Sequence, residues 1–302
     1  MPIKNWRGAS VYLAVTITMT AIALVQKVKN LPTVSHAALK LISLLDKPSV
    51  DNDEIVQIIK YDNVLTAKLL RACNAPSFGL GESVSSVDQA VLIMGHTQIF
   101  HIVMTLAFGS VMTVATLPYT IEMNELWEHS LVTAMASGLV LDELPELNAE
   151  ANVAFTANLL HDIGKMVLAQ TVKPEELSEI RDRISRKQIS GTDAEKEVLG
   201  LDHAEVGEAL LQSWRLPENI CEAVGNHHRP PAKSSRPPLS VEVHIANAIA
   251  HRGKPPPGQS VHDTQITDAV AAALKIKEEK LEQMTVTFGE SSELMDRFMA
   301  MV

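Results

Sequence analysis

Apolar residues recur every three or four positions along most of this chain, the spacing of helices that bury one face. Val34, Ala38, Leu41, Ile42 and Leu45 mark the first clear case, in a segment that Pro32 opens and Lys47-Pro48-Ser49 stops. Asp51-Asn52-Asp53-Glu54 then starts a second helix, because carboxylates offset the positive end of the helix dipole, and Ile55, Ile58 and Ile59 continue it. Asp62 is placed to cap a third, which carries Val64, Leu65, Leu69 and Ala72. Ser85-Ser86-Val87-Asp88 has the outline of a capping box, with an acid in place of the usual Glu or Gln, and Gly95 ends the helix that follows. Residues 96–115 are apolar nearly all round, as expected of a helix wrapped by others on most faces.

Pro118 and the acidic Glu122, Glu125 and Glu128 open a second series, with helices predicted near 121–142, 149–170, 174–188, 192–200, 202–214, 217–228 and 240–252. The stretches 229–238 and 255–258 interrupt it, since clustered prolines cannot continue a helix. Two closing helices are predicted over 263–275 and 278–302. The pattern predicts an all-α, two-lobed helical bundle. Residues 1–30 form an N-terminal segment with a first helix, 31–117 the first lobe and 118–231 the second, which helices within 232–302 complete.

Composition narrows the classes. With 302 residues, 46% hydrophobic and 21% charged, the chain can bury a sizeable core, and 4% aromatic content favours helix-on-helix packing over a sheet. A net charge of −10 works against a sequence-independent grip on phosphate backbones, so nucleic acid is not an expected partner. Cys73 and Cys221 have neither disulfide-framework nor zinc-type spacing, which fits a reducing cytoplasm. The uncharged run from Gly8 to Gln26 approaches membrane-spanning length, but Ser10, Thr16, Thr18 and Thr20 weaken it and Lys27 and Lys29 blur its charge asymmetry. The expectation is no membrane anchor, with Met19 as an alternative start. Trp127 and Trp214 are expected in packing, residues 181–187 on a solvated helix face, and Phe298 with Met295, Met299 and Met301 on a packing or homodimer stripe.

The chemistry is concentrated in the second lobe. In residues 155–170, "FTANLLHDIGKMVLAQ", His161 and Asp162 stand side by side in an otherwise apolar run, and a helix end or kink before Gly164 would let both turn toward one point. Burying such groups costs several kcal/mol, by order of magnitude, unless each finds a partner. His129 shares a helix face with Leu126 and Ala136, His203 with Val206 and Leu210, and His227 with Ile220 and Val224; Asn247 is a polar residue on a later apolar helix. Inward imidazoles from separate helices, with a carboxylate, are what a divalent ion in a bundle requires. A hydrogen-bonded core histidine is the ordinary alternative at each position taken singly.

The order His129, His161-Asp162, Gly164, Lys165 resembles the HD superfamily of metal-dependent phosphohydrolases. "NLPTVSHAALKLISLL" (30–45), "DNVLTAKLLRACNAPSFGL" (62–80), "VSSVDQAVLIMG" (84–95), "LWEHS" (126–130), "NLLHDIGK" (158–165), "LDHAEVGEALLQSWRLPENI" (201–220) and "NHHRPP" (226–231) together resemble the HDOD family over residues 31–231. The resemblance implies an all-helical bacterial signalling module with an HD-like second lobe. It also implies metal ligands at His129, His161 and Asp162, second-metal ligands at His203 and His227 or His228, and a lysine, Lys165, near a scissile phosphate. Two departures stand against turnover: Asn247 falls where a closing Asp is expected, and His228 is followed by Arg229-Pro230-Pro231 in place of a Gly-Tyr-Pro loop.

Two functions follow from this resemblance. One is a non-catalytic binding or output module with a degenerate HD metal site, which contacts a signalling protein or a small nucleotide ligand. The other is a phosphohydrolase acting on a nucleotide or cyclic dinucleotide, in which a divalent Mn, Fe, Zn, Ni or Mg ion activates water and Asp162 and Lys165 are catalytic. A neutral amide at position 247 binds divalent ions more weakly than a carboxylate and cannot act as a base, which favours the first.

Overall fold

A computed structural model of the chain describes residues 21–28, 34–45, 47, 52–78, 83–112, 123–231, 238–253 and 265–290. Every regular element among the described residues is helical, as the periodicity requires. A helix over 21–27 (α1) precedes α2 (His36–Leu44), α3 (Asn52–Lys60), α4 (Asn63–Cys73), α5 (Val87–Met94) and α6 (His96–Met112). Then follow α7 (Met123–Glu143), α8 (Ala151–Leu160), α9 (Gly164–Thr171), α10 (Pro174–Lys187), α11 (Gly191–Leu199), α12 (His203–Ser213), α13 (Glu218–Asn226), α14 (Leu239–Gly253), α15 (Asp268–Leu274) and α16 (Glu278–Glu290). The uncharged run up to residue 20, the Met19 start, the prolines at 255–257 and the methionine stripe at 295–301 lie outside the described residues. Among the described residues no helix is long and apolar enough to cross a membrane.

Polar side chains set the helix starts. Asp62 accepts from the backbone N–H groups of Val64 and Leu65 at 3.1 and 2.9 Å, and from the Ser35 hydroxyl at 2.6 Å, so one carboxylate joins the entries of α2 and α4. The box expected at 85–88 does not close, and the N-cap is Ser86, one residue later. Ser86 caps the Gln89 N–H, while the Gln89 side chain accepts from the Ser85 N–H. Gly95, at φ 81°, turns the chain from α5 directly into α6. Asp202 and Glu205 form a reciprocal box at the start of α12, each backbone N–H to carboxylate distance being 2.9 Å. That box fixes the first turn of α12, where His203 lies.

The single helix expected over 149–170 is instead two, α8 and α9, joined by a turn at 161–163. Gly164 explains why the turn survives: a Cβ there would lie 1.9 Å from the His203 carbonyl oxygen and 2.6 Å from the Gly207 nitrogen. The start of α9 rests directly on the backbone of α12, an approach only glycine permits. Phe100 and Phe108 of α6 share one apolar core with Trp127 and Leu131 of α7 and Phe155 of α8. Trp127 is buried, and Trp214 packs partly exposed against Phe108, the two ring centroids 6.4 Å apart. A second core joins Val140 of α7, Ile245 and Ile249 of α14, and Leu281, Met284 and Phe288 of α16. Helix α14 is buried from Ser240 to His251, which makes it a central element whose polar residues must find partners inside the protein.

Candidate metal centre

Two helix ends deliver two imidazoles by the same device. The last carbonyls of a helix lack intrahelical partners, and His161, following α8, meets one of them: its Nδ1 donates to the Asn158 carbonyl at 2.7 Å. His227, following α13, does the same to the Val224 carbonyl, also at 2.7 Å. Each bond puts the proton on Nδ1 and leaves Nε2 as a lone pair facing inward. Both Nε2 atoms are buried without a hydrogen-bond partner, as are both nitrogens of His129, which α7 contributes.

These nitrogens surround Asp162. Its Oδ2 lies 3.8 Å from His129 Nε2, 3.5 Å from His161 Nε2 and 2.7 Å from Lys165 Nζ. Its Oδ1 lies 3.1 Å from His203 Nε2 and 3.9 Å from His227 Nε2. His228 closes the second side, with its Nε2 3.0 Å from that of His203. Two donor sets result, His129–His161–Asp162 and Asp162–His203–His227–His228, and within each set the ligand atoms lie within 4.8 Å of one another. Asp162 belongs to both.

Electrostatics separates the rings. Burial alone would raise the Asp162 carboxyl, but Lys165, His161 and His203 outweigh it and hold the group well below the usual carboxylate range. Burial pushes His161 down to about 4 and lowers His129 and His227 strongly, so these three are neutral lone-pair donors at neutral pH. His203 is the exception. Burial works against its charge, yet the Glu195 carboxylate beside it and the hydrogen bond to Asp162 push it up to about 10. Glu195 Oε2 lies 2.8 Å from both the backbone nitrogen and Nδ1 of His203, which fixes that ring as well.

A divalent ion fits this donor set: buried imidazole nitrogens with no partner, gathered on a shared carboxylate, suit Zn, Fe, Ni or Mn. Asn247 lies on α14 with its Oδ1 buried beside His129, near enough to favour that ring's charged form. It also lines a polar cavity of about 140 Å³ beside His228, with Ser190, Thr192, Asp193 and Arg229. His129, His161, Asp162, Lys165, His203, His227 and His228 therefore gather in one cluster around Asp162, with Asn247 beside it.

Four residues that periodicity left without a role touch the site residues or brace them. His251 lies four residues after Asn247 on α14, and its ring packs on that of His129, the centroids 4.3 Å apart; the i, i+4 spacing was the available signal. Glu195 orients His203, and His244 contacts the His227 backbone. Glu242, fully buried on α14, accepts from Asn158 Nδ2 at 2.7 Å, and so braces the residue whose carbonyl holds His161. Nothing in the charged sequence around Glu195 marks it as different from a solvated helix acid, whereas Glu242 stands between Val241 and Val243 on the same apolar helix as Asn247, and that setting was the available signal.

An all-helical bundle that gathers five imidazoles around one aspartate defines a protein with an HD-type histidine–aspartate pocket. The HDOD domain family model matches residues 31–230, and the chain belongs to that family. An uncharacterised protein of Treponema pallidum is 25% identical over 231 residues, 76% of this chain; the chain spans only 44% of that relative's length. An HDOD domain protein of unknown function from Geobacter sulfurreducens superposes with a TM-score of 0.71 at 22% identity, over 95% of this chain and 98% of its own. A protein from Marinobacter aquaeolei, named for signal transduction, gives 0.75 at 19% identity over 95% and 65%. One from Shewanella amazonensis, named as a phosphohydrolase, gives 0.66 at 21% identity over 92% and 97%. At these identities the likeness is one of fold.

Proposed function

We propose that the protein is a cytoplasmic bacterial signalling module that binds a divalent metal ion and works by contacting a partner, a signalling protein or a nucleotide, without hydrolysing it. The observation that carries the metal reading is Asp162 lying between two sets of imidazoles, with unpartnered nitrogens on His129, His161 and His227. Its Oδ2 faces His129 and His161, and its Oδ1 faces His203 and His227. His129, His161 and Asp162 would hold one ion, and Asp162 with His227, His228 and, once the ion displaced the proton on its Nε2, His203 would hold the other. Asn247 supports the non-catalytic half, because its amide adds a weak neutral donor where a carboxylate would both bind and orient an attacking water. The cavity beside His228, about 140 Å³, is also small against the roughly 300–1,000 Å³ of ordinary small-molecule sites.

One observation favours hydrolysis instead. Lys165 Nζ stands 2.7 Å from Asp162, at the edge of the pocket, where a cation would offset charge developing on a phosphoryl group. A bound metal ion would supply the remaining chemistry, by lowering the pKa of water. Metal content after purification, measured with hydrolysis of bis(p-nitrophenyl) phosphate, separates the readings. The proposal expects bound metal, and turnover no faster than that of the Asp162→Ala variant. Metal-dependent turnover abolished by that substitution would establish the enzyme.

A further inference from the structure

His244 lies outside both donor sets, yet both of its ring nitrogens are used. It is buried on α14, with Nδ1 2.7 Å from the backbone carbonyl oxygen of His227 and Nε2 3.0 Å from the backbone nitrogen of Thr267. A carbonyl can only accept and a backbone N–H can only donate, so Nδ1 carries the proton and Nε2 the lone pair. The ring is a fixed two-ended link.

Its two partners give the link meaning. His227 follows α13, where a carbonyl has no intrahelical partner, and His244 supplies one. That peptide joins His227 to His228, whose rings both belong to the set around Asp162. Thr267, 23 residues beyond His244, caps α15, the helix that precedes α16 and the core it shares with α7 and α14. The histidine turn and the C-terminal helices therefore meet on one imidazole. We propose that His244 is a positioning residue: it couples the seating of α15 to the placement of the His227 and His228 rings, and through them to the metal affinity of the site. This rests on the reading of the pocket as a metal centre.

Thr267 allows a clean test, because its backbone, at φ −64° and ψ 146°, is already that of proline. Thr267→Pro removes the N–H that His244 accepts and also the hydroxyl cap; Thr267→Ala removes the cap alone. His244→Phe removes both hydrogen bonds, and His244→Asn keeps a donor near the His227 carbonyl. The readouts are the imidazole NMR signals of His227 and His228 in chelator-treated protein, and Zn²⁺ affinity by calorimetry. Thr267→Pro is expected to move those signals and weaken Zn²⁺ about tenfold, with Thr267→Ala close to wild type. His244→Phe is expected to weaken Zn²⁺ by about 10–100-fold, the usual cost of losing a partner that orients a ligand, and His244→Asn to recover most of that. Wild-type signals and affinity in folded Thr267→Pro would overturn the proposal, whether or not His244→Phe folds. If wild type takes up no Zn²⁺ while Thr267→Pro still moves the signals, the metal reading fails and the coupling stands.

Discussion

Glu242 offers a test of how this core treats charge. The residue is fully buried on α14, its Oε2 accepts one hydrogen bond from Asn158, and its Oε1 has no partner. Burial raises the group from 4.5 to about 8, only partly offset by the Asn158 bond. Below pH 4.5 the folded and unfolded chains both hold the proton, and the residue contributes no pH dependence. Between pH 4.5 and 8 the folded chain keeps a proton that the unfolded chain has shed, so stability falls as pH rises; above 8 the loss is complete. At 1.36 kcal/mol per unit, the shift amounts to about 5 kcal/mol, an upper bound because relaxation and water entry reduce the penalty. Glu242→Gln keeps an oxygen for Asn158 and removes the titration. Guanidinium unfolding of both proteins at pH 5 and pH 8.5, with chelator present, reads the difference. The variant should gain several kcal/mol over wild type between the two conditions. A gap between the proteins that is the same at both pH values, within about 0.5 kcal/mol, would refute the reasoning.

The pocket and its supports make further predictions. Gly164→Ala places a methyl against the backbone of α12, which no side-chain rotation relieves, and should cost about 3 kcal/mol or more in urea unfolding; a wild-type midpoint would contradict the contact. Asp202→Ala removes the cap that fixes the first turn of α12 and should cost about 1–2 kcal/mol by the same assay. Saturating Mn²⁺ or Zn²⁺ at a hundred times its Kd should stabilise wild type by about 2.7 kcal/mol, seen as a rise in Tm, and leave Asp162→Ala unmoved; an equal rise in both would place the metal elsewhere.

Much of the fold and part of the pocket were legible in the sequence, for different reasons. Helices announce themselves locally: Asp62 as a cap, Gly95 as a stop and the four-residue spacing of Ile55 and Ile59 need no knowledge of the rest of the chain. His129, His203 and His227 could be assigned to inward faces by the same periodicity, and the ordered blocks around them pointed to a common family. What periodicity cannot supply is which helices cross. Glu195 lies in a segment as charged as any solvated helix, and only the close contact of α11 with the start of α12 puts it on His203. His244 gains its partners from a loop and a cap far along the chain. The break at 161–163 was legible as an option, because Gly164 permits it, but the reason it occurs is the backbone of α12 on the other side.

A crystal structure of protein loaded with Mn²⁺ or Zn²⁺, with anomalous differences collected at the metal edge, addresses the central claim most directly. The account predicts a peak coordinated by Asp162, His203, His227 and His228, and a second between Asp162, His129 and His161 where both ions bind. Full metal loading with no anomalous peak at Asp162, its imidazoles bound only to water and to one another, would contradict it.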